Sequence, residues 1–244
     1  MKTNSRWYSH RIESDINVVR WGHFGVPVLV FPTAGGDAEE IERFHLVGAC
    51  GDLLEAGRVK LYSCDSVAGR AMVAGVGDAP YRAALLNAFH DTVYREVVPA
   101  IRADCQSPDI GVVATGASIG AFNAVAALCR YPDCFTHAVG MSGTYDVARF
   151  VGEGGGDALY FSTPLYFLPE LQGPLLEMLR RRYVILASGE GRWESVGQSW
   201  QMAHVLGTKG IPNRVDPWGP AWDHDWPTWR RMLPHYLEEL TREG

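Results

Sequence analysis

The sequence predicts an α/β fold in which a mostly parallel central sheet carries helices on both faces. Short, continuous apolar runs recur at Val26–Phe31, Val59–Cys64 and from Ile110 toward Ser118, as expected for strands buried on both sides. Between them lie stretches of helical period: from Tyr81 to Arg102, Leu85, Phe89, Val93, Val97 and Ile101 recur every four residues as a core stripe. Strand and helix alternate along most of the chain, the pattern of parallel βαβ units. A chain of 244 residues, 47% hydrophobic and 20% charged, fits one α/β domain with a substantial core.

The elements follow in order. Residues 9–21 alternate loosely between polar and apolar, as an early antiparallel strand or hairpin would, and Gly22 to Gly25 turn the chain into Val26–Phe31. Residues 38–56 read as a helix ending at Gly57, followed by the Val59–Cys64 strand and a Gly- and Ala-rich loop from Val67 to Pro80. After the 81–102 helix and the strand into Ser118, a helix runs to Arg130 and a strand spans Thr136–Met141. Residues 144–182 are irregular, with Gly152, Gly154, Gly155 and Gly156 among aromatics, and read as an insert over the carboxyl edge of the sheet, where open α/β folds bind ligands. Its aromatics, Tyr160 among them, suit either an acyl pocket or packing of the insert on itself. A strand at Tyr183–Ala187, a helix from Ser195 to Gly207, a strand at Asn213–Trp218 and a last helix at Thr228–Leu240 complete the chain, with Pro227 suited to the first turn of that helix.

Composition excludes several functions. A formal net charge of −6 and no basic cluster longer than Arg180-Arg181-Arg182 argue against nucleic acid. No run of eighteen apolar residues suggests a membrane span, and the first ten residues lack a secretory signal, so a cytoplasmic protein without a membrane partner is expected. The five cysteines form an odd set without C-x-x-C spacing, which suits reduced thiols better than disulfides or a metal site.

The chemistry concentrates at Gly116-Ala117-Ser118-Ile119-Gly120. This is G-x-S-x-G placed where a strand turns sharply into a helix, which lifts a serine hydroxyl clear of the strand end. Such a serine needs a base, usually histidine, and the base needs a carboxylate to fix its tautomer. Of eight histidines, only His224 follows both Ser118 and the final predicted strand and lies in a loop before the last helix. The acid stays open among Glu190 and Glu194, in the loop after Tyr183–Ala187, and Asp146, after the preceding strand; Asp223 and Asp225 lie too close to His224 in sequence to come first. An oxyanion needs two backbone N–H groups. One comes from Ile119, and the other from Pro32-Thr33-Ala34-Gly35-Gly36, with Ala34 favoured over Thr33 or Gly35. Trp226 and Trp229 have the spacing of an inward helix face, which leaves Trp222 as the better substrate neighbour.

These residues resemble the bacterial esterase branch of the α/β-hydrolases, whose relatives are esterase D-like and feruloyl-esterase-like. The resemblance covers about Val26 to Leu237 and is strongest at Phe31–Gly36, the Gly116–Gly120 elbow, Ser142-Gly143-Thr144-Tyr145-Asp146, Gly189-x-Gly191-x-Trp193-Glu194 and His224-Asp225-Trp226-Pro227. It implies an α/β-hydrolase fold, Ser118 as nucleophile, His224 as base and Glu194 in preference to Glu190 as acid. It also implies a small-molecule ester substrate, no metal and no dissociable cofactor. The loop departs from feruloyl-esterase relatives, whose acid is commonly an Asp where this chain has Arg192. Thr33, Tyr160 and Trp222 are the candidate substrate contacts. The resulting expectation is a serine esterase that works through an acyl-enzyme. The alternatives are a non-catalytic binding protein on the same scaffold and an acyltransferase using the same triad, and homo-oligomerisation stays open.

Overall fold

The computed structural model describes residues 1–242. Eight strands form one sheet: β1 (Lys2–Ser9), β2 (Ser14–Trp21), β3 (Val26–Phe31), β4 (Val59–Cys64), β5 (Val112–Ala117), β6 (Phe135–Met141), β7 (Tyr183–Ser188) and β8 (Asn213–Pro217). Their spatial order is β1-β2-β4-β3-β5-β6-β7-β8, antiparallel at β1-β2-β4 and parallel from β4 to β8. β5 is buried along its whole length and β3 from its second residue on, which is why their sequences read as unbroken apolar runs. β1 is an edge strand whose Lys2 and Arg6 are exposed, a charged rim that discourages further strand pairing.

Helices cover both faces, as the sequence predicts. On one face lie Ala79–Thr92, Val98–Asp104, the elbow helix Ile119–Arg130 and Val196–Thr208. The other carries short helices between Glu40 and Glu55 and the terminal helix Trp226–Leu240. The terminal helix has Pro227 in its first turn, as expected, and Asp225 as its N-cap.

Four local expectations change. The helix expected over 38–56 is three short pieces, Glu40–Arg43, Leu46–Ala49 and Gly51–Glu55; the first break falls at His45, whose left-handed conformation at φ 62° α-helix cannot continue through. The loop expected at 67–80 contains the helix Val67–Ala74, ended by left-handed Gly75. The 81–102 helix is interrupted by a π-helical turn at Val93–Val97, and in the regular α-helix before it Leu86, not Leu85, is fully buried alongside Phe89. The insert starts at the carboxyl edge as expected but then runs along the first face. Its helices Ala148–Val151 and Gly156–Ser162 pack on Ala79–Thr92, and Pro164–Phe167 packs on the elbow helix and on Val196–Thr208. Leu159, Leu165, Phe167 and Leu168 join the core there, so burial of these side chains draws the segment down the flank.

No helix among the described residues is long and apolar enough to cross a membrane. All five cysteines are unpaired there, and burial pushes the Cys50 and Cys134 thiols up to about 12.

The elbow helix meets β3 at backbone distance. A Cβ on Gly120 would lie 2.4 Å from the Phe31 carbonyl oxygen and 2.7 Å from that of Pro32; one on Gly116 would lie 2.5 Å from the Gly120 carbonyl carbon. Neither neighbour is a flexible side chain that could yield, so Gly120→Ala is expected to destabilise the protein by about 3 kcal/mol. Denaturant unfolding measures this, and wild-type stability would refute so close a contact.

Candidate active site

β5 delivers Ser118 at the carboxyl edge with φ 57° and ψ −119°, a backbone region that costs a non-glycine residue about 1–3 kcal/mol. Hydrogen bonds hold it there. The Ser118 N–H donates to Met141 O (3.0 Å), and its carbonyl accepts from the N–H groups of Ala121 (3.2 Å) and Thr144 (3.3 Å). The side chain stays partly open to solvent.

The loop after β3 is fixed by a buried carboxylate. Glu40, 6% exposed, accepts the Thr33 N–H through Oε2 (2.8 Å) and the Thr33 hydroxyl through Oε1 (2.6 Å), and burial raises its carboxyl above the usual range. Thr33 therefore has its donors engaged within the protein, which removes its N–H from the oxyanion candidates and makes it a loop anchor. The N–H groups of Ala34, Gly35 and Ile119 take part in no hydrogen bond among the described residues.

The loops after β7 and β8 are joined along their length. Trp218 N–H donates to Ser188 O, Glu190 N–H to Gly219 O, Gly191 N–H to Trp222 O and His224 N–H to Arg192 O, at 2.8–3.0 Å. The crossing is tight: a Cβ on Gly189 would lie 2.0 Å from Trp222 O, and one on Gly191 would lie 2.7 Å from the same atom. This explains the Gly189-x-Gly191 spacing. Asp223 clasps the two loops from outside, accepting from Arg192 N–H (2.7 Å) and Arg192 Nε (2.8 Å) and pairing with Nη2 (2.6 Å).

The joined loops bring Glu194 to His224. Glu194 Oε2 lies 3.5 Å from His224 Nδ1, with side chains 1% and 22% exposed. Of the three carboxylates the sequence offers, Glu194 is the one beside the imidazole. Glu190 is exposed and contributes its backbone N–H to the loop pairing, whereas Asp146 accepts from Ala148 N–H (3.1 Å) and the Tyr166 hydroxyl (3.3 Å) at the start of the insert. Arg192, which stands where relatives were expected to carry their acid, is engaged by Asp223.

A chain of contacts draws these residues toward Ser118. β5 and β6 are adjacent with Ala117 opposite Met141, so Ser118 and Ser142 occupy neighbouring strand tips, about 4.8 Å apart as paired strands are. Ser142 Oγ donates to Glu194 Oε1 (2.5 Å) and accepts from Trp229 Nε1 (2.9 Å). The Trp229 ring stands edge-on to His224 with centroids 5.3 Å apart, and Trp226 packs edge-on against it at 5.1 Å, the inward pairing expected of those two.

Two further expectations divide. Trp222 lies half-buried in the histidine loop, its ring edge-on to Trp218 at 5.2 Å. Tyr160 is placed elsewhere: it lines a cavity of about 450 Å³ with Arg130, Tyr131 and Phe167, at the far end of the elbow helix from Ser118. It leaves the substrate candidates for the same reason that the insert runs along the flank. Ser142, Trp229 and Asp223 were not singled out as site residues by the sequence; their partners lie 52, 87 and 31 residues away in the chain, a separation to which periodicity and spacing are blind.

A family model described as "Putative esterase" matches residues 63–240. No curated protein matches the sequence. Among solved structures, a ferulic acid esterase superposes with a TM-score of 0.74 at 17% identity, covering 99% of this chain and 98% of that one. The fluorophosphonate-binding serine hydrolase F of Staphylococcus aureus gives 0.72 at 12% identity, covering 100% and 99%. An S-formylglutathione hydrolase from Agrobacterium tumefaciens gives 0.69 at 11%, covering 98% and 94%. These likenesses show the α/β-hydrolase fold.

The Asp223–Arg192 clasp has a pH signature. Hydrogen bonds from Arg192 hold the Asp223 carboxyl below its usual range. A depressed carboxylate contributes above its ordinary pKa of about 3.9 and loses that contribution as pH falls through the lower folded value. Hydrogen exchange at the Arg192 and His224 amides is therefore expected to stay slow to below about pH 4 in wild type and to be fast at neutral pH in Asp223→Ala. Equal exchange in both proteins would mean that the clasp does not hold the loops.

Proposed function

The chain belongs to the esterase family, and on that premise we propose that it cleaves small-molecule carboxylic esters through an acyl-enzyme on Ser118, with His224 as base and Glu194 as acid. The observation that carries this reading is Glu194 beside His224 Nδ1, on loops that converge one strand from Ser118. In the free protein the 3.5 Å separation is slightly long, and such contacts tighten when substrate binds.

His224 Nε2 takes the Ser118 hydroxyl proton as Oγ attacks the ester carbonyl. Glu194 keeps the Nδ1–H tautomer in place and stabilises the imidazolium that forms. The negative oxygen of the tetrahedral intermediate is met by the unengaged N–H groups of Ile119 and Ala34, fixed before substrate arrives. Collapse expels the alcohol, which receives the proton from His224. Water, deprotonated by the same base, then releases the acid and restores Ser118. Glu40 supports this indirectly, because it holds Thr33 and so aims the Ala34 N–H. The ring of Trp222 supplies an apolar wall on the base side of the site.

Intact-protein mass spectrometry after exposure to a fluorophosphonate tests the assignment. Wild type is expected to gain one adduct on Ser118, with none on Ser118→Ala and a much slower reaction in His224→Ala. Ester turnover by Ser118→Ala should fall by about 10⁴-fold or more without loss of folding. Retained turnover in that variant, or an adduct on another residue, would reject Ser118 as nucleophile.

A further inference from the structure

We propose that Ser142 and Trp229 are positioning residues. They form a one-directional hydrogen-bond chain, from indole N–H to Ser142 Oγ–H to Glu194 Oε1, that holds the carboxylate against His224. The inference rests on the reading of Glu194 as the acid, and it gives a role to the Ser142-Gly143 motif that the triad does not use.

Atom chemistry sets the direction of the chain. An indole nitrogen can only donate, and an ionised carboxylate can only accept. A hydroxyl 2.9 Å from the first and 2.5 Å from the second therefore accepts from Trp229 and has its single proton committed to Glu194. Donation into the oxygen makes the outgoing O–H a stronger donor. Ser188 does not duplicate this role, because its one proton is shared between Gly189 O at 2.9 Å and Glu194 Oε2 at 3.2 Å. Oε1 thus depends on Ser142, and with Glu194 1% exposed no solvent replaces it.

Backbone conformation points the same way. Ser142 is 3% exposed and sits at φ 49°, a region where glycine would be the low-energy choice. Its N–H is bound to Ala187 O at 2.8 Å, which fixes the β6 tip against β7. Serine at this position accepts strain and supplies a hydroxyl, whereas a purely structural turn would need only a backbone. The same indole that anchors the chain stands edge-on to His224, so Trp229 steadies acid and base together.

The chain also sets the proton affinity of the acid–base pair. A hydroxyl that donates to Glu194 draws charge from the carboxylate; without it, the carboxylate holds the imidazolium proton of His224 more tightly. The base then stays protonated to higher pH, and the acid limb of the rate profile moves up. The remaining charged groups of the two loops are Arg192 and Asp223, which pair with each other, exposed Glu190, and Asp225, which caps the terminal helix.

The test is the pH dependence of fluorophosphonate inactivation for Ser142→Gly, Ser142→Ala, Trp229→Phe and the Ser142→Ala/Trp229→Phe double variant, with Glu194→Gln as reference. Ser142→Gly removes the hydroxyl while relieving the backbone, and Trp229→Phe keeps a ring beside His224 while removing the donor. Each single variant is expected to lower the saturating inactivation rate about tenfold, with the half-saturating concentration unchanged and the acid limb shifted upward. The double variant should be no slower than Ser142→Ala alone, because both changes break one chain. A wild-type rate and acid limb in Ser142→Gly would overturn the proposal, as would a double variant whose loss is the product of the two single losses. If Glu194→Gln also reacts like wild type, the assignment of the acid itself falls. If Glu194→Gln is slow while the Ser142 and Trp229 variants are not, only the chain falls.

Discussion

A carboxylate almost sealed from water governs the carboxyl edge of this sheet. Isolating Glu194 from solvent costs several kcal/mol unless its oxygens are met by donors, and the chain supplies them from three separate elements. The tip of β6 brings Ser142, the end of β7 brings Ser188, and the loop before the terminal helix brings His224. Satisfying this one group therefore fixes the relative positions of three strand ends. The glycines at 189 and 191, which have room only for hydrogen where they cross Trp222, permit the loop crossing that puts the carboxylate there.

A second anchored carboxylate mirrors the first on the opposite flank of β5. Glu40 holds the Thr33 backbone and hydroxyl, as Glu194 holds the Ser142 hydroxyl. Ser118 lies between the two, on a turn pressed against β3 at Gly116 and Gly120. Reactive geometry here depends on rigid neighbours more than on the five-residue motif itself.

The central strands were legible because two-sided burial leaves an unbroken apolar run: β3 and β4 lie where the sequence places them. The elbow was legible because its glycines are obligatory. The broken helix at 40–55 was not, since a left-handed His45 leaves no compositional mark. Leu85 and Leu86 were exchanged because the buried face of this helix runs through Ala83, Leu86, Phe89 and His90, a 3.6-residue period that a strict four-residue repeat misses. Tyr160 was misplaced because local aromatic density says nothing about which side of the sheet an insert follows. Among Glu190, Glu194 and Asp146, the residue pattern left the choice open. The resemblance favoured Glu194, and the Glu190, Gly191 and His224 backbone pairings, formed across about thirty residues of intervening chain, put that residue beside His224.

The helix Trp226–Leu240 carries Trp229 as its fourth residue and begins after Asp225, one residue beyond His224, so a single helix start places the imidazole and the indole together. His224 follows Ser118 by 106 residues (224 − 118), a lag of roughly 5–20 s at the usual rate of ribosomal synthesis. Throughout that interval Ser118 exists on a nascent chain that has neither His224 nor Trp229. The contacts that surround Glu194 therefore wait on a helix made well after the elbow itself.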